Sequence, residues 1–199
     1  MYVYLVEFIW LKQRSQGLTI RANAEMIQRG FSEIEDINRR LYLKEIVATL
    51  LQEFKKYLVS IVVFGSVGRG DSTADSDIDL LIVSDAFSSS LSNRMELLIK
   101  ILAQIEQTDI FRILKERGIN TWIQFHPLKI DEAHLTRSIY LDMVEDGIIL
   151  FDKNHFIENI LQGLKKKMEI LGSKRHFLED GSWFWDLKPD MKRGEVIDL

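Results

Sequence analysis

Apolar residues recur every three or four positions between residues 34 and 58, and this spacing predicts a long amphipathic helix. Ser32 followed by Glu35 has the pattern of a capping box, so we expect this helix to start there and to reach about residue 57. The same kind of spacing predicts helices in three later segments: 91–118 with a break near residue 108, 138–146, and 154–171.

Short runs of β-branched and aromatic residues predict the strands, at 60–64, 78–83, 120–126 and 147–151. We expect the third strand to stop at Pro127, since proline has no N–H for a strand ladder. Strands that alternate with helices indicate the α/β (α+β) class, with a small mixed β-sheet flanked by helices.

Length, composition and charge limit the domain organisation and the classes of function. The 199 residues fit one domain with extensions, which we place at 1–32 (N-terminal extension), 33–152 (core domain) and 153–199 (C-terminal helix and aromatic tail packed on the core). The chain has no cysteine, which excludes disulfides and thiolate zinc sites, and its four histidines have no metal-ligand spacing. The net charge of -4 argues against a protein that coats nucleic acid.

The apolar run at residues 1–11 is too short to span a membrane and carries Glu7. We expect it to be a buried helix or strand, and the protein to be cytoplasmic without membrane association. Three successive lysines, Lys165 to Lys167, would spread around a helix, so they indicate a solvated surface and make nucleic acid an unexpected partner.

Candidate chemistry is concentrated in residues 64–79, whose sequence is FGSVGRGDSTADSDID. The glycine spacing fits neither the dinucleotide fingerprint nor a P-loop. Glycines nevertheless let the backbone approach an anion closely, and successive N–H groups and a serine hydroxyl can donate to it. This segment therefore predicts binding of nucleotide phosphates, and its candidate residues are Gly65, Ser66, Gly68, Arg69 and Gly70. An exposed loop arginine without a function is an equally good interpretation of Arg69.

Two carboxylates follow the glycines at positions i and i+2 of a predicted strand, Asp77 and Asp79. Alternate residues of a strand point to the same face, so both carboxylates can reach one small cation while Ile78 and Leu80 face the core. Mg²⁺ prefers a few carboxylates together with substrate phosphates and water. The glycine segment and the two acids thus predict one site for a metal and a triphosphate.

The segment Phe64-Gly65-Ser66, ten residues, then Asp77-Ile78-Asp79-Leu80 resembles the signature of the nucleotidyltransferase superfamily that includes DNA polymerase beta. The glycine pattern is similar to that of small stand-alone prokaryotic members. The resemblance implies the polymerase beta-like nucleotidyltransferase fold and transfer of a nucleoside monophosphate from an NTP, with release of pyrophosphate. It also implies Mg²⁺ (or Mn²⁺) held by Asp77 and Asp79, with Gly65 and Ser66 gripping the triphosphate.

Active members of this superfamily usually add a third carboxylate from a later strand, which should be residues 120–126 here. Strand alternation places Trp122, Gln124 and His126 on one face, so Gln124 or His126 fills the position where an acid is expected. We take Gln124 as the candidate catalytic residue in its place. Asp131 and Glu132 lie beyond Pro127, where we expect the first turn of a helix.

Two functions remain open from the sequence. The first is a Mg²⁺-dependent nucleotidyltransferase that acts on an unidentified small molecule or protein, and the two intact aspartates favour it. The second is a catalytically weakened nucleotide-binding protein that pairs with a small helical protein in a two-protein prokaryotic module, and the missing acid favours it. Aromatic residues near both ends also suit a homodimer interface, or a tail whose tryptophans dock on the core.

Overall fold

The computed structural model describes residues 30–197 and consists of a mixed sheet with helices on both faces. The strands of the main sheet are β1 (Leu58–Phe64), β2 (Ile78–Ser84), β3 (Ile123–Leu128) and β4 (Ile148–Asp152). Their order is β3-β2-β1-β4. β1 is antiparallel to β2 and to β4, whereas β2 and β3 are parallel. The predicted fold class is confirmed.

Residues 30–33 are also helical, and the helices that follow are α1 (Ile37–Phe54), α2 (Gly65–Arg69), α3 (Leu91–Ile105), α4 (Asp109–Glu116), α5 (Ile130–Ala133), α6 (Ser138–Asp146) and α7 (Phe156–Leu171). Single 3-10 turns lie at Lys55–Tyr57 and Lys153–His155. The long predicted helix 91–118 is divided into α3 and α4 near the expected break, where Thr108 caps α4 by accepting from the Phe111 N–H.

The sheet is covered on both faces, which explains why every residue of β1 is buried and all but Ser60 are apolar. Alternate side chains of β1 and β2 pack with α1 and α3 on one face and with α6 and α7 on the other. Asp79 lies on the second face and is the one residue of β2 that is not fully buried. The sheet therefore places this acid at an open end of a strand whose remaining residues are buried.

The predicted start of the first long helix was wrong. α1 begins at Ile37, and the capping residue is Asp36, whose side chain accepts from the Asn38 N–H at 2.8 Å. Ser32 belongs to the helical segment before it. The helix also ends at Phe54 rather than near 57, because Lys55 takes a positive φ of 51°.

The predicted stop of β3 at Pro127 was also wrong, since the strand continues to Leu128 and Pro127 pairs with Ile82. β3 is an edge strand, so a residue without an N–H can be accommodated where the missing donor would face away from the sheet. The strand also begins later than predicted, at Ile123.

The C-terminal segment forms a hairpin that the sequence pattern did not predict. Its strands are β5 (Lys174–Phe177) and β6 (Trp183–Asp186), which pair antiparallel. The predicted N-terminal buried segment, residues 1–11, lies outside the described residues. Between residues 30 and 197 no helix is long and apolar enough to cross a bilayer.

Candidate active site

The glycine segment continues directly from β1 as the short helix α2, rather than as an extended loop. Gly65, its first residue, has a φ of +65°, which strains any residue with a side chain. A Cβ added to Gly65 would lie 2.1 Å from Asp79 Oδ2. The absence of a side chain at Gly65 therefore lets the Asp79 carboxylate lie against the first turn of α2, which joins the two halves of the motif.

The backbone geometry around α2 also requires glycine at the other two positions, Gly68 and Gly70. A Cβ on Gly68 would lie 2.2 Å from the Asp146 carbonyl oxygen, so this glycine permits α2 to pack against the last turn of α6. Gly70 has a φ of +78° and ends α2, with the Asp71 N–H donating to the Ser66 carbonyl at 3.1 Å. These contacts fix the path of the backbone on both sides of Ser66, which is itself partly exposed.

The acids and the third-strand residues meet at one end of the sheet. Asp79 pairs in register with Phe64 on β1 and with Gln124 on β3. Asp77 immediately precedes β2 and is partly exposed, and Gln124 is exposed. The structure thus brings Gln124 beside Asp79, and the predicted faces of β3 are correct because Ile123 joins the core while Gln124 does not.

His126 also lies on the Asp79 side of the sheet. Its Nε2 is 3.8 Å from Asp79 Oδ1, and its ring centroid is 5.1 Å from that of Phe64. This nitrogen is buried and has no hydrogen-bond partner within residues 30–197. Glu132, by contrast, lies in α5 and binds Arg94, with Arg94 Nη2 2.7 Å from Glu132 Oε1. As expected, it belongs to the first turn of a helix.

Arg39 of α1 organises the approach to Asp77, and no sequence pattern identified it. Its side chain is 1% exposed and its Nη2 donates to the carbonyls of Thr73 and Ser76, at 2.8 and 2.6 Å. Its Nη1 donates to the Asn120 carbonyl at 3.3 Å. One buried guanidinium therefore ties the segment before Asp77 to the segment that leads into β3.

The charges near Arg39 are consistent with this role. Burial lowers the pKa of Arg39, while the negative charges of Asp36 and Asp77 act in the opposite direction. Asp77 therefore lies close enough to stabilise the buried cation. Within residues 30–197 no group of three or more histidine, aspartate and glutamate side chains is arranged to hold a metal ion. Asp77 and Asp79 remain a pair of acids without a third.

Arg69, the last residue of α2, contacts the C-terminal hairpin. Its guanidinium carbon is 4.5 Å from the ring centroid of Trp183, and its Nε donates to Asp71 Oδ2 at 3.0 Å. Trp183 and Trp185 both donate through Nε1 to Asp142 Oδ1, at 2.9 Å each. The hairpin is thus attached to α6 and reaches the predicted phosphate segment, a proximity that the sequence did not indicate.

Comparison with known protein families agrees with this geometry. The sequence model of the nucleotidyltransferase domain family matches residues 43–174, which include β1, α2 and both acids. The chain belongs to the nucleotidyltransferase domain family. The prediction of a nucleotidyltransferase is confirmed.

Two curated relatives of this nucleotidyltransferase are proteins of Methanocaldococcus jannaschii that are provisionally named protein adenylyltransferases. One is 36% identical over 104 residues, which are 50% of this chain and 98% of that protein. The other is 27% identical over 127 residues, which are 62% of this chain and 78% of that protein.

Among solved structures, a mutant of the toxin-antitoxin pair MntA-HepT is 17% identical with a TM-score of 0.42, over 63% of this chain and 86% of that one. A toxin-antitoxin structure with AMP-PNP is 16% identical with a TM-score of 0.41, over 64% of this chain and 90% of that one.

Proposed function

We propose that this protein transfers a nucleoside monophosphate from an NTP, with ATP as the first candidate, to a hydroxyl group of an acceptor protein. The observation that carries the proposal is the contact between the two halves of the motif, where Asp79 Oδ2 lies 2.1 Å from the position of a Cβ on Gly65. A polyphosphate held along α2 would therefore lie beside the carboxylate that binds its metal ion. Separate phosphate and metal sites would not need this contact.

The residues of the site fit a hard divalent cation. Asp77 and Asp79 offer carboxylate oxygens at one end of β2, and Gln124 on the neighbouring strand adds a neutral amide oxygen. This all-oxygen set suits Mg²⁺ or Mn²⁺ and does not suit a soft metal. When bound, such a cation would neutralise charge on the phosphates and assist in-line displacement.

The chain's own residues bind and orient the triphosphate. The first N–H groups of a helix have no acceptor within it, and Phe64 before α2 has no polar side chain to accept from them. These amides, the Ser66 hydroxyl and the Arg69 guanidinium are donors for phosphate oxygens. The acceptor hydroxyl oxygen then bonds to the α-phosphorus, its proton passes to solvent water, the bond from that phosphorus to the bridging oxygen breaks, and pyrophosphate leaves.

The names of the two Methanocaldococcus jannaschii relatives support a protein acceptor and an adenylyl group. The match covers 98% of the first relative, so almost the whole of that protein has a counterpart in this chain. The short core domain also has an open site, because Trp122, whose carbonyl accepts from the Ile78 N–H, and Gln124 on β3 are both exposed. A site that opens on an exposed strand edge suits a side chain presented by another protein.

A second candidate function is nucleotide binding without efficient turnover, in a protein that pairs with a small helical partner. The observation that favours it is Gln124, which occupies the β3 position beside Asp79. An amide can orient a water or the acceptor hydroxyl, but it cannot take its proton and it adds no negative charge to a metal site. The two candidates share the binding step and differ only in transfer.

The test has two stages. Titration calorimetry with each NTP in Mg²⁺ or Mn²⁺ should show binding to the wild type that Asp77→Ala/Asp79→Ala abolishes, and a wild type that binds no NTP would refute both candidates. Incubation with cell extract and ATP labelled either at the α-phosphate or at the γ-phosphate then measures transfer. Label in protein from α-labelled ATP alone supports nucleotidyl transfer, whereas label from neither supports the binding protein.

A further inference from the structure

Arg69 lies at the end of α2, beside the predicted phosphate site and against the C-terminal hairpin. Its guanidinium carbon lies over the indole ring of Trp183, 4.5 Å from the ring centroid. Stacking uses the flat face of a guanidinium and leaves its edges free for hydrogen bonds. Only Nε is used, by Asp71, among the hydrogen bonds that Arg69 makes within residues 30–197. Both Nη groups therefore keep donors for an anion.

Trp183 is held by contacts that do not involve Arg69. Its Nε1 donates to Asp142 Oδ1, which also accepts from Trp185 Nε1. The guanidinium carbon of Arg175 lies 5.7 Å from the ring centroids of both tryptophans. Arg175 in turn pairs with the Asp146 carboxylate, with Nη2 3.1 Å from Oδ1. Two acids of α6 thus hold the hairpin at two points.

The same helix holds the glycine segment. The Asp146 carbonyl oxygen is so close to Gly68 that a Cβ there would lie 2.2 Å from it. Asp146 therefore contacts α2 through its backbone and the hairpin through its side chain. This arrangement fixes the distance between Trp183 and the turn that carries Arg69, independently of whether the two side chains stack.

We propose that Trp183 is a positioning residue for Arg69, which it holds against the C-terminal hairpin so that the Nη donors are already in place for the triphosphate. The proposal rests on the proposed function, because it assigns to Arg69 a role in NTP binding. A free arginine side chain must lose rotamer freedom when it binds a phosphate, and a stacked guanidinium has already lost part of it. The C-terminal hairpin is therefore a part of the nucleotide site.

The chain offers a matched control for the test. Trp183→Leu and Trp185→Leu each remove one indole that donates to Asp142 and packs near Arg175, but only Trp183 stacks on Arg69. With Mg²⁺ and the NTP that the wild type binds most tightly, Trp183→Leu should raise the Kd roughly 3- to 10-fold. Trp185→Leu should change the Kd less than about twofold, because Trp185 packs against the core and Arg175 but has no contact with Arg69 among the described residues.

A double-mutant cycle separates positioning from general loss of structure. If Trp183 acts through Arg69, Trp183→Leu should have no further effect on the Kd in an Arg69→Ala background. Trp183→Phe, which keeps an aromatic face for the guanidinium, should recover most of the affinity. An equal effect of Trp183→Leu with and without Arg69, or equal effects of Trp183→Leu and Trp185→Leu, would overturn the proposal.

Intrinsic fluorescence gives a second measurement that does not require a destabilising variant. In a Trp122→Phe background, which removes the exposed indole just before β3, the NTP should change the emission of Trp183 as Arg69 binds phosphate. Adding Trp183→Phe should remove this change, and adding Trp185→Phe should not. An emission change that Trp183→Phe leaves intact would count against the proposal, while absence of NTP binding in the wild type would refute the proposed function instead.

Discussion

The contact between Gly65 and Asp79 can be tested with Gly65→Ala, because the two destabilising effects of this substitution, backbone strain and a clash with Asp79, can be measured separately. Gly65→Ala places a side chain at a φ of +65°, which costs about 1 kcal/mol. It also places a Cβ 2.1 Å from Asp79 Oδ2, so that the carboxylate must leave its rotamer at a cost of about 1 kcal/mol. The expected loss of unfolding free energy is about 2 kcal/mol.

Gly118→Ala is the matched control, since Gly118 has a φ of +67° and a Cβ there would meet nothing within 4 Å. It should lower the Tm by about 2–4 °C, and Gly65→Ala by about twice as much, as measured by thermal unfolding. Both variants lose the same backbone freedom in the unfolded chain, so that effect cancels in the comparison. The difference between the Tm shifts of the two variants therefore measures the clash with Asp79 alone.

The clash should also have a functional consequence that the control lacks. If the proposed function is correct, displacing the Asp79 carboxylate should weaken metal-dependent NTP binding at least about tenfold in titration calorimetry, because the proposed metal ligand and the phosphates would no longer lie together. In an Asp79→Ala background the extra stability loss of Gly65→Ala over Gly118→Ala should vanish. Equal Tm shifts for the two glycine variants in the wild-type background would refute the proposed contact.

Three further predictions concern residues around the site. Arg39→Met should lower the unfolding free energy by about 3–5 kcal/mol in urea titrations, because three carbonyls lose a buried donor. Gln124→Glu should increase the stabilisation by Mg²⁺ in thermal unfolding and lower the Tm without metal, since a third carboxylate beside Asp79 attracts the cation and repels its neighbours. The hydrogen bond from Arg94 lowers the pKa of Glu132 to about 2 from 4.5. The contribution of this ion pair to the unfolding free energy is therefore complete above pH 4.5 and is lost as the pH falls towards 2. Glu132→Gln should therefore flatten the decline in stability across that window, and an unchanged decline would contradict the assignment.

The sheet and the motif could be predicted because their signals are local. β1 and β2 are largely buried on both faces, so most of their residues are apolar, and the two acids follow the glycines at a fixed short spacing. α6 was predicted with the bounds that it has, Ser138–Asp146, since an apolar pattern and a following glycine define it. Such elements depend on residues that are close together in the chain.

The parts that could not be predicted depend on distant partners. Arg39 has the sequence context of an ordinary helix-surface residue, but its acceptors lie 34, 37 and 81 positions away. The hairpin has no apolar periodicity, and its tryptophans are fixed by Asp142, more than 40 positions before them. Pro127 was misinterpreted because its effect depends on whether β3 is an edge strand, which the sequence does not state.

The contacts of α2 separate the question of binding from the question of turnover. Gly65 places Asp79, Gly68 fixes the turn on α6, and Arg69 reaches the hairpin, and none of these contacts involves Gln124. Loss of the third carboxylate therefore leaves the phosphate segment and the acid pair intact. Under the proposed function, the missing carboxylate would weaken the hold on a cation that assists the attacking hydroxyl, and so would lower the rate of transfer. Variants of Gly65 or Trp183 should change the Kd for NTP, whereas Gln124→Glu should change the rate of label transfer more than the Kd.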